Sequence, residues 1–109
     1  MNTMYLQLAG GKWFTLSLAE QMGNIGSEVS RVKNWGGRDA TLAEGAFVRA
    51  LELLDLTIRD VRWRGRLKEL VRVREVFCDT VMGAVQYRTT LEDLDRYLLQ
   101  FAVAARSSR

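Results

Sequence analysis

An all-α fold, an antiparallel up-down-up-down four-helix bundle, is predicted by three observations on this chain. No proline interrupts a helix, Ser or Thr precedes an acid by three residues at three places, and apolar residues recur at alternating spacings of three and four. At 109 residues, 48% hydrophobic and 27% charged, the chain suits one domain built on one core.

The first 16 residues stand apart from this pattern. Met4-Tyr-Leu-Gln-Leu-Ala and Lys12-Trp-Phe-Thr-Leu flank Gly10-Gly11, which reads as a short β-hairpin. A lone hairpin is marginal in water, so it must pack on the bundle or on another copy, or else stay loose. The bundle itself is assigned to residues 17–106, and residues 107–109 to a frayed polar tail.

The first helix starts at the capping box Ser17-Leu-Ala-Glu20 and buries Leu18, Met22, Ile25, Val29 and Val32. The second starts at Thr41-Leu-Ala-Glu44 and carries Ala43, Phe47, Ala50, Leu54, Ile58 and Val61 on one face, flanked by Ala46 and Leu51. A short RWRGR turn around Gly65 separates it from a third helix beginning near Leu67, whose apolar residues are Leu70, Val71, Phe77, Cys78, Val81 and Val85. The fourth starts at Thr90-Leu-Glu-Asp93 and buries Leu91, Leu94, Leu98, Phe101 and Ala105. The connections at 34–40, at the RWRGR turn and at 86–89 are short enough to force antiparallel neighbours.

Composition excludes several chemistries. With no histidine and a single cysteine, Cys78, the chain lacks the commonest general base and the side chains that most often hold zinc. No catalytic residue, metal ligand or cofactor is assigned, and the reading is non-enzymatic. No apolar run approaches the roughly 20 residues of a membrane span, and a lone cysteine forms no internal disulfide, so a cytoplasmic location is expected. Cys78 lies on an apolar face and is read as a small core residue. Trp13 and Trp35 are read as packing residues near helix ends.

Residues 23–31 read GNIGSEVSR. The Gly-x-x-Gly step suits either a backbone clamp for nucleic acid or a smooth helix surface. The capping box just upstream favours the second, because Ala19, Gly23, Gly26 and Ser30 then form one strip along the helix. Each interior glycine costs roughly 0.5–1 kcal/mol relative to alanine, which a close helix contact would offset.

Residues 59–74, RDVRWRGRLKELVRVR, hold seven cations against two acids, a net +5 within a chain of +3. Arg59, Arg62, Arg64, Arg66, Lys68 and Arg72 around Trp63 form a candidate surface for nucleic acid or a protein partner, cations holding phosphates while a ring stacks on a base. Arg74 falls among Leu70, Val71, Phe77 and Cys78 on the helical wheel, which predicts a buried ion pair with one of Glu28, Asp55 or Asp95. Glu52-x-x-Asp55 and Glu92-x-x-Asp95 repeat a spacing used by all-α, magnesium-dependent nucleotide hydrolases, a remote alternative because Glu52 and Glu92 fall on polar faces.

The stretches TLSLAEQMGNIGSEVSR, RALELLDLTI and RLKELVRVREVFCD resemble a family of small bacterial four-helix-bundle proteins over about residues 15–105. More distantly, the chain is similar to the proteins encoded in intervening sequences of 23S ribosomal RNA genes and to the accessory variability determinant of diversity-generating retroelements. The resemblance implies a ring-like homo-oligomer, typically a pentamer, whose basic surface engages RNA or DNA and a reverse transcriptase. It transfers no catalytic residue. The expectation is a homo-oligomeric accessory protein binding nucleic acid or a nucleic-acid enzyme; the alternative is a structural or protein-interaction module.

Overall fold

The computed structural model describes residues 11–83 and 87–107, the side chains of 87–89 excepted. The elements are a 3₁₀ turn, Lys12–Thr15, then α1 (Leu18–Trp35), α2 (Ala40–Arg59), a 3₁₀ segment (Val61–Arg66), α3 (Leu67–Gly83) and α4 (Tyr87–Ser107). No strand occurs among these residues. Helices of 17 to 21 residues are about 25–32 Å long at roughly 1.5 Å per residue. The longest dimension of the chain is 35 Å, so each helix runs the length of the bundle.

Side-chain register fixes the directions. Gly23 lies against Ala102 and Gly26 against Leu98, so α1 and α4 are antiparallel. Gln21 meets Asp60 and Glu28 meets Arg49, so α2 runs against α1. Asp55 meets Arg74 while the tilted rings of Phe47 and Phe77 lie 5.1 Å apart, which turns α3 against α2. The four helices close an up-down-up-down bundle around Met22, Ile25, Val29, Leu54, Leu70, Phe77, Leu91 and Leu98.

The sequence misplaced some helix starts. Ser17 caps α1 as a full capping box: its Oγ accepts from Glu20 N at 3.1 Å, and its own N–H donates to the Glu20 carboxylate at 2.9 Å. At α2 the cap is Asp39, whose carboxylate accepts from Leu42 N at 3.1 Å, and Thr41 lies inside the first turn. A carboxylate caps at least as well as a threonine hydroxyl, and Gly37, at φ 82°, turns the chain so that Asp39 reaches the helix end first. α4 starts at Tyr87, which puts Thr90 inside the helix too.

The N-terminal extension is not the expected hairpin where it is described. Lys12–Thr15 is a 3₁₀ turn, and residues 1–10, the first strand of that expectation, lie outside the described residues. Trp13 explains the turn, because its ring is buried to 1% exposure and its indole N–H donates to Thr57 Oγ1 at 3.0 Å. An extended strand would alternate its faces instead of coiling to drive this ring into the core.

Two helix faces are also rotated from expectation. α2 buries Ala46, Ala50, Leu53, Leu54, Leu56 and Thr57, and α3 buries Leu70, Val73, Phe77 and Thr80. Val61, expected on the α2 face, is 66% exposed because α2 stops at Arg59.

The small-residue strip is a close helix crossing. A Cβ on Gly23 would come 3.1 Å from the Ala102 Cα, and one on Gly26 would come 3.0 Å from the Leu98 Cβ. Ser30 continues the contact by donating to Asp95, which also pairs with Lys33 at 2.7 Å. Ala19, the first residue of the strip, is half-buried. Gly23→Val should destabilise the protein by about 2 kcal/mol, because the obstructing atom is backbone and overpacking outweighs the gain in helix propensity. Gly65→Ala, with nothing within 4 Å of the added carbon, should be neutral within about 0.5 kcal/mol. Urea unfolding of both variants measures the contrast.

Candidate nucleic-acid interface

The basic run begins where α2 ends, at a buried acid. Asp60 is 5% exposed and takes Arg62 in a fork, Nε to Oδ1 at 3.0 Å and Nη2 to Oδ2 at 2.7 Å. Its Oδ1 also accepts from the backbone N–H of Arg62 at 3.1 Å, capping the 3₁₀ segment. Gln21, fully buried on α1, donates to the second oxygen at 3.1 Å and to Trp13 O at 2.9 Å. The Gln21 carbonyl accepts from the Trp63 indole at 2.9 Å. Arg62 Nη2 also donates to Leu16 O at 2.7 Å, and the guanidinium lies 4.4 Å above the Trp63 ring.

This network gives Arg62 and Trp63 partners within the protein. The Trp63 ring packs against the core with its indole N–H held by Gln21, so it is not free to stack on a base, whereas the Arg62 side chain is taken up by Asp60 and Leu16 O while remaining 39% exposed. The signal for it was present: Asp60 is the sole acid at the α2 terminus, and Gln21 is a polar residue beside the Leu18–Met22 face. Asp60, one of the two acids in the run, is the carboxylate that organises it.

The other cations of the run, Arg59, Arg64, Arg66, Lys68 and Arg72, are exposed as well. Arg66 pairs with Glu69 one turn on, both side chains 40% or more exposed, a geometry that contributes little to stability. Arg64, Lys68 and Arg72 meet no carboxylate among the described residues. The corner therefore presents a cluster of outward cations on a rigid base.

Arg74 finds Asp55, Nε to Oδ1 at 2.8 Å, but the pair is at the surface with side chains 37% and 49% exposed. The expected burial fails because α3 turns Val73 inward and leaves Arg74 at the edge of its apolar face. The hydrogen bond that Arg74 donates to Asp55 raises the Arg74 pKa further, against a smaller opposing effect of burial. Glu28 is the buried acid instead, 6% exposed, with Arg31 at 3.0 Å and Arg49 at 3.3 Å. Asp95 serves Ser30 and Lys33.

Other candidate sites are answered by packing. α4 covers Gly23 and Gly26, which rules out a backbone clamp at that step. Glu52-x-x-Asp55 and Glu92-x-x-Asp95 do not converge, and no group of three or more acids, histidines or cysteines able to hold a metal exists among the described residues. Cys78 is half-buried with the Arg74 guanidinium 3.8 Å from its sulfur. Between α3 and α4 lies a mostly apolar groove of about 440 Å³. The Tyr97 hydroxyl is buried beside it without a hydrogen-bond partner, and burial, reinforced by Glu69, raises its pKa. No helix among the described residues is long and apolar enough to cross a membrane.

No family model, curated protein or solved structure matches the chain.

Asp60 yields a stability prediction with a defined sign. Arg62 holds its carboxyl at about 2, below the ordinary 3.8, with burial opposing and Gln21 adding to the lowering. A depressed pKa contributes stability that is complete above the ordinary value and is lost as pH falls through the folded one. The wild-type protein should therefore lose about 2 kcal/mol between roughly pH 4 and 2 that Asp60→Asn does not lose. Asp60→Ala, which strands Arg62 and Gln21, should cost about 3 kcal/mol at neutral pH. Denaturant titrations across that pH range read both effects.

Proposed function

We propose that this chain is a non-enzymatic, homo-oligomeric accessory protein that binds nucleic acid, or a nucleic-acid enzyme such as a reverse transcriptase, through the corner joining α2 and α3. The observation that carries the reading is the exposure of Arg59, Arg64, Arg66, Lys68 and Arg72 on one corner whose backbone is held by Asp60. Cations already positioned lose less conformational freedom when they meet phosphates than cations on a loose loop. The net +5 over residues 59–74, against −2 for the rest of the chain, gives the molecule a direction from which a polyanion approaches.

With Trp63 turned inward, the contact is electrostatic and largely independent of base identity. A second reading, the protein-interaction module, is favoured by the apolar groove between α3 and α4, which would take an apolar segment of a partner.

Fluorescence anisotropy with labelled single-stranded and duplex RNA and DNA separates the two. Nucleic-acid binding should weaken roughly 20- to 150-fold between about 50 and 200 mM salt, for about three or four phosphate contacts. Replacing Arg59, Arg64 and Arg66 by Ala should lower the salt slope by about one per lost contact. No binding to any of the four nucleic acids at low salt would overturn the reading and leave the interaction module.

A further inference from the structure

The outward face of α3 carries a charge pattern that starts with two cations of the basic corner and continues beyond it. Val73, Phe77 and Thr80 point into the core, so the opposite side of this helix faces solvent. Along it lie Lys68, Arg72, Glu75 and Asp79, all exposed, at spacings of four, three and four that keep them in one line. The two cations come first and the two acids second. Beside this line runs an apolar edge, Leu67 at 41% exposure, half-buried Val71 and Met82 at 77% exposure. The N-terminal half of the face holds a shallow hollow of about 330 Å³, lined by Leu67, Lys68, Val71, Arg72 and Glu75.

We propose that α3 is a self-docking surface that takes the α3 of a second copy of this chain, antiparallel, across a two-fold axis. The charge order decides the occupant and its direction. A two-fold operation reverses the helix while keeping each flank on its own side. Lys68 therefore meets Asp79 of the partner subunit and Arg72 meets Glu75 of the partner subunit, and the same two pairs repeat at the other end. A parallel pair would set Lys68 on Lys68 and Asp79 on Asp79, which like charges oppose. On the apolar flank, Met82 of the partner subunit reaches the hollow beside Leu67 and Val71; a flexible thioether suits an irregular gap of this kind.

The inference gives a definite interface to the homo-oligomer in the proposed function, and it rests on that part of the reading. Lys68 and Arg72 then serve the seam, and polyanion contact stays with Arg59, Arg64 and Arg66. The antiparallel arrangement sets the two basic corners at opposite ends of the seam, roughly 25 Å apart at about 1.5 Å per residue.

Sedimentation equilibrium of the full chain at tens of micromolar tests it. The wild type should run at twice the chain mass of 12.4 kDa, and a monomer or a pentamer overturns the proposal. The variants K68E/R72E and E75K/D79K, each with one sign of charge along the seam, should both fall to the single-chain mass while keeping full helicity by circular dichroism. Mixed in equal amounts, they should return to twice the mass as a heterodimer; a mixture that stays monomeric overturns the proposal. The E75K/D79K monomer should still bind nucleic acid, and the chain lacking Arg59, Arg64 and Arg66 should still dimerise, so loss of one property is read separately from loss of the other.

Discussion

A carboxylate taken out of water at the end of α2 governs this molecule. Asp60 is buried, and it stays charged because Arg62 grips both oxygens while Gln21 and a backbone N–H occupy what remains. Four parts of the chain meet there: the 3₁₀ turn through Trp13, α1 through Gln21, the end of α2, and the basic segment through Arg62 and Trp63. An ion pair whose acid is buried and whose arginine is partly exposed is weak evidence of net stability against an apolar substitute, but removing the arginine strands the acid. Its contribution is to geometry. The backbone of the segment that follows is tied at its start by the Arg62 N–H donated to Asp60, and the outward cations are set out from that point.

The second constraint is the approach of α1 to α4. Two glycines one turn apart remove the side chains that would hold the helices apart, and the backbone of α4 fills the space. Ser30, Lys33 and Asp95 close the polar end of the same contact. α3 has no such strip, and the groove beside Tyr97 marks its looser fit against α4. The bundle is thus tight on the α1 side and more open on the α3 side. The charged corner and the self-complementary charge order both lie on the open side.

Helix number, order and direction were legible in the sequence because amphipathic periodicity and short connections leave little choice. α1 was the clearest case: Ser17, Glu20 and all five of its apolar positions fall where the spacing puts them. α3 was harder because Leu67, Val71, Cys78 and Val81 widen its apolar face, so the wheel fits more than one rotation. Packing selects the rotation that buries Val73 and Thr80, and Arg74 moves to the edge as a result. Of the candidate site, the location of the positive charge was legible, whereas the roles of Arg62 and Trp63 were not. Their roles depend on Gln21 and Trp13, which are some forty to fifty residues away in sequence and adjacent only after the helices pack.

The placement of the three indoles gives the chain an intrinsic optical gauge. Trp13 and Trp63 are both tied to Gln21 at one end of the bundle, while Trp35 sits 37% exposed at the other, beside Arg38. Two chromophores thus sense the dry hydrogen-bonded end and one senses solvent. A quencher dissolved in water extinguishes the long-wavelength component from Trp35 first, and the surviving blue-shifted emission reports whether the Asp60 end stays closed.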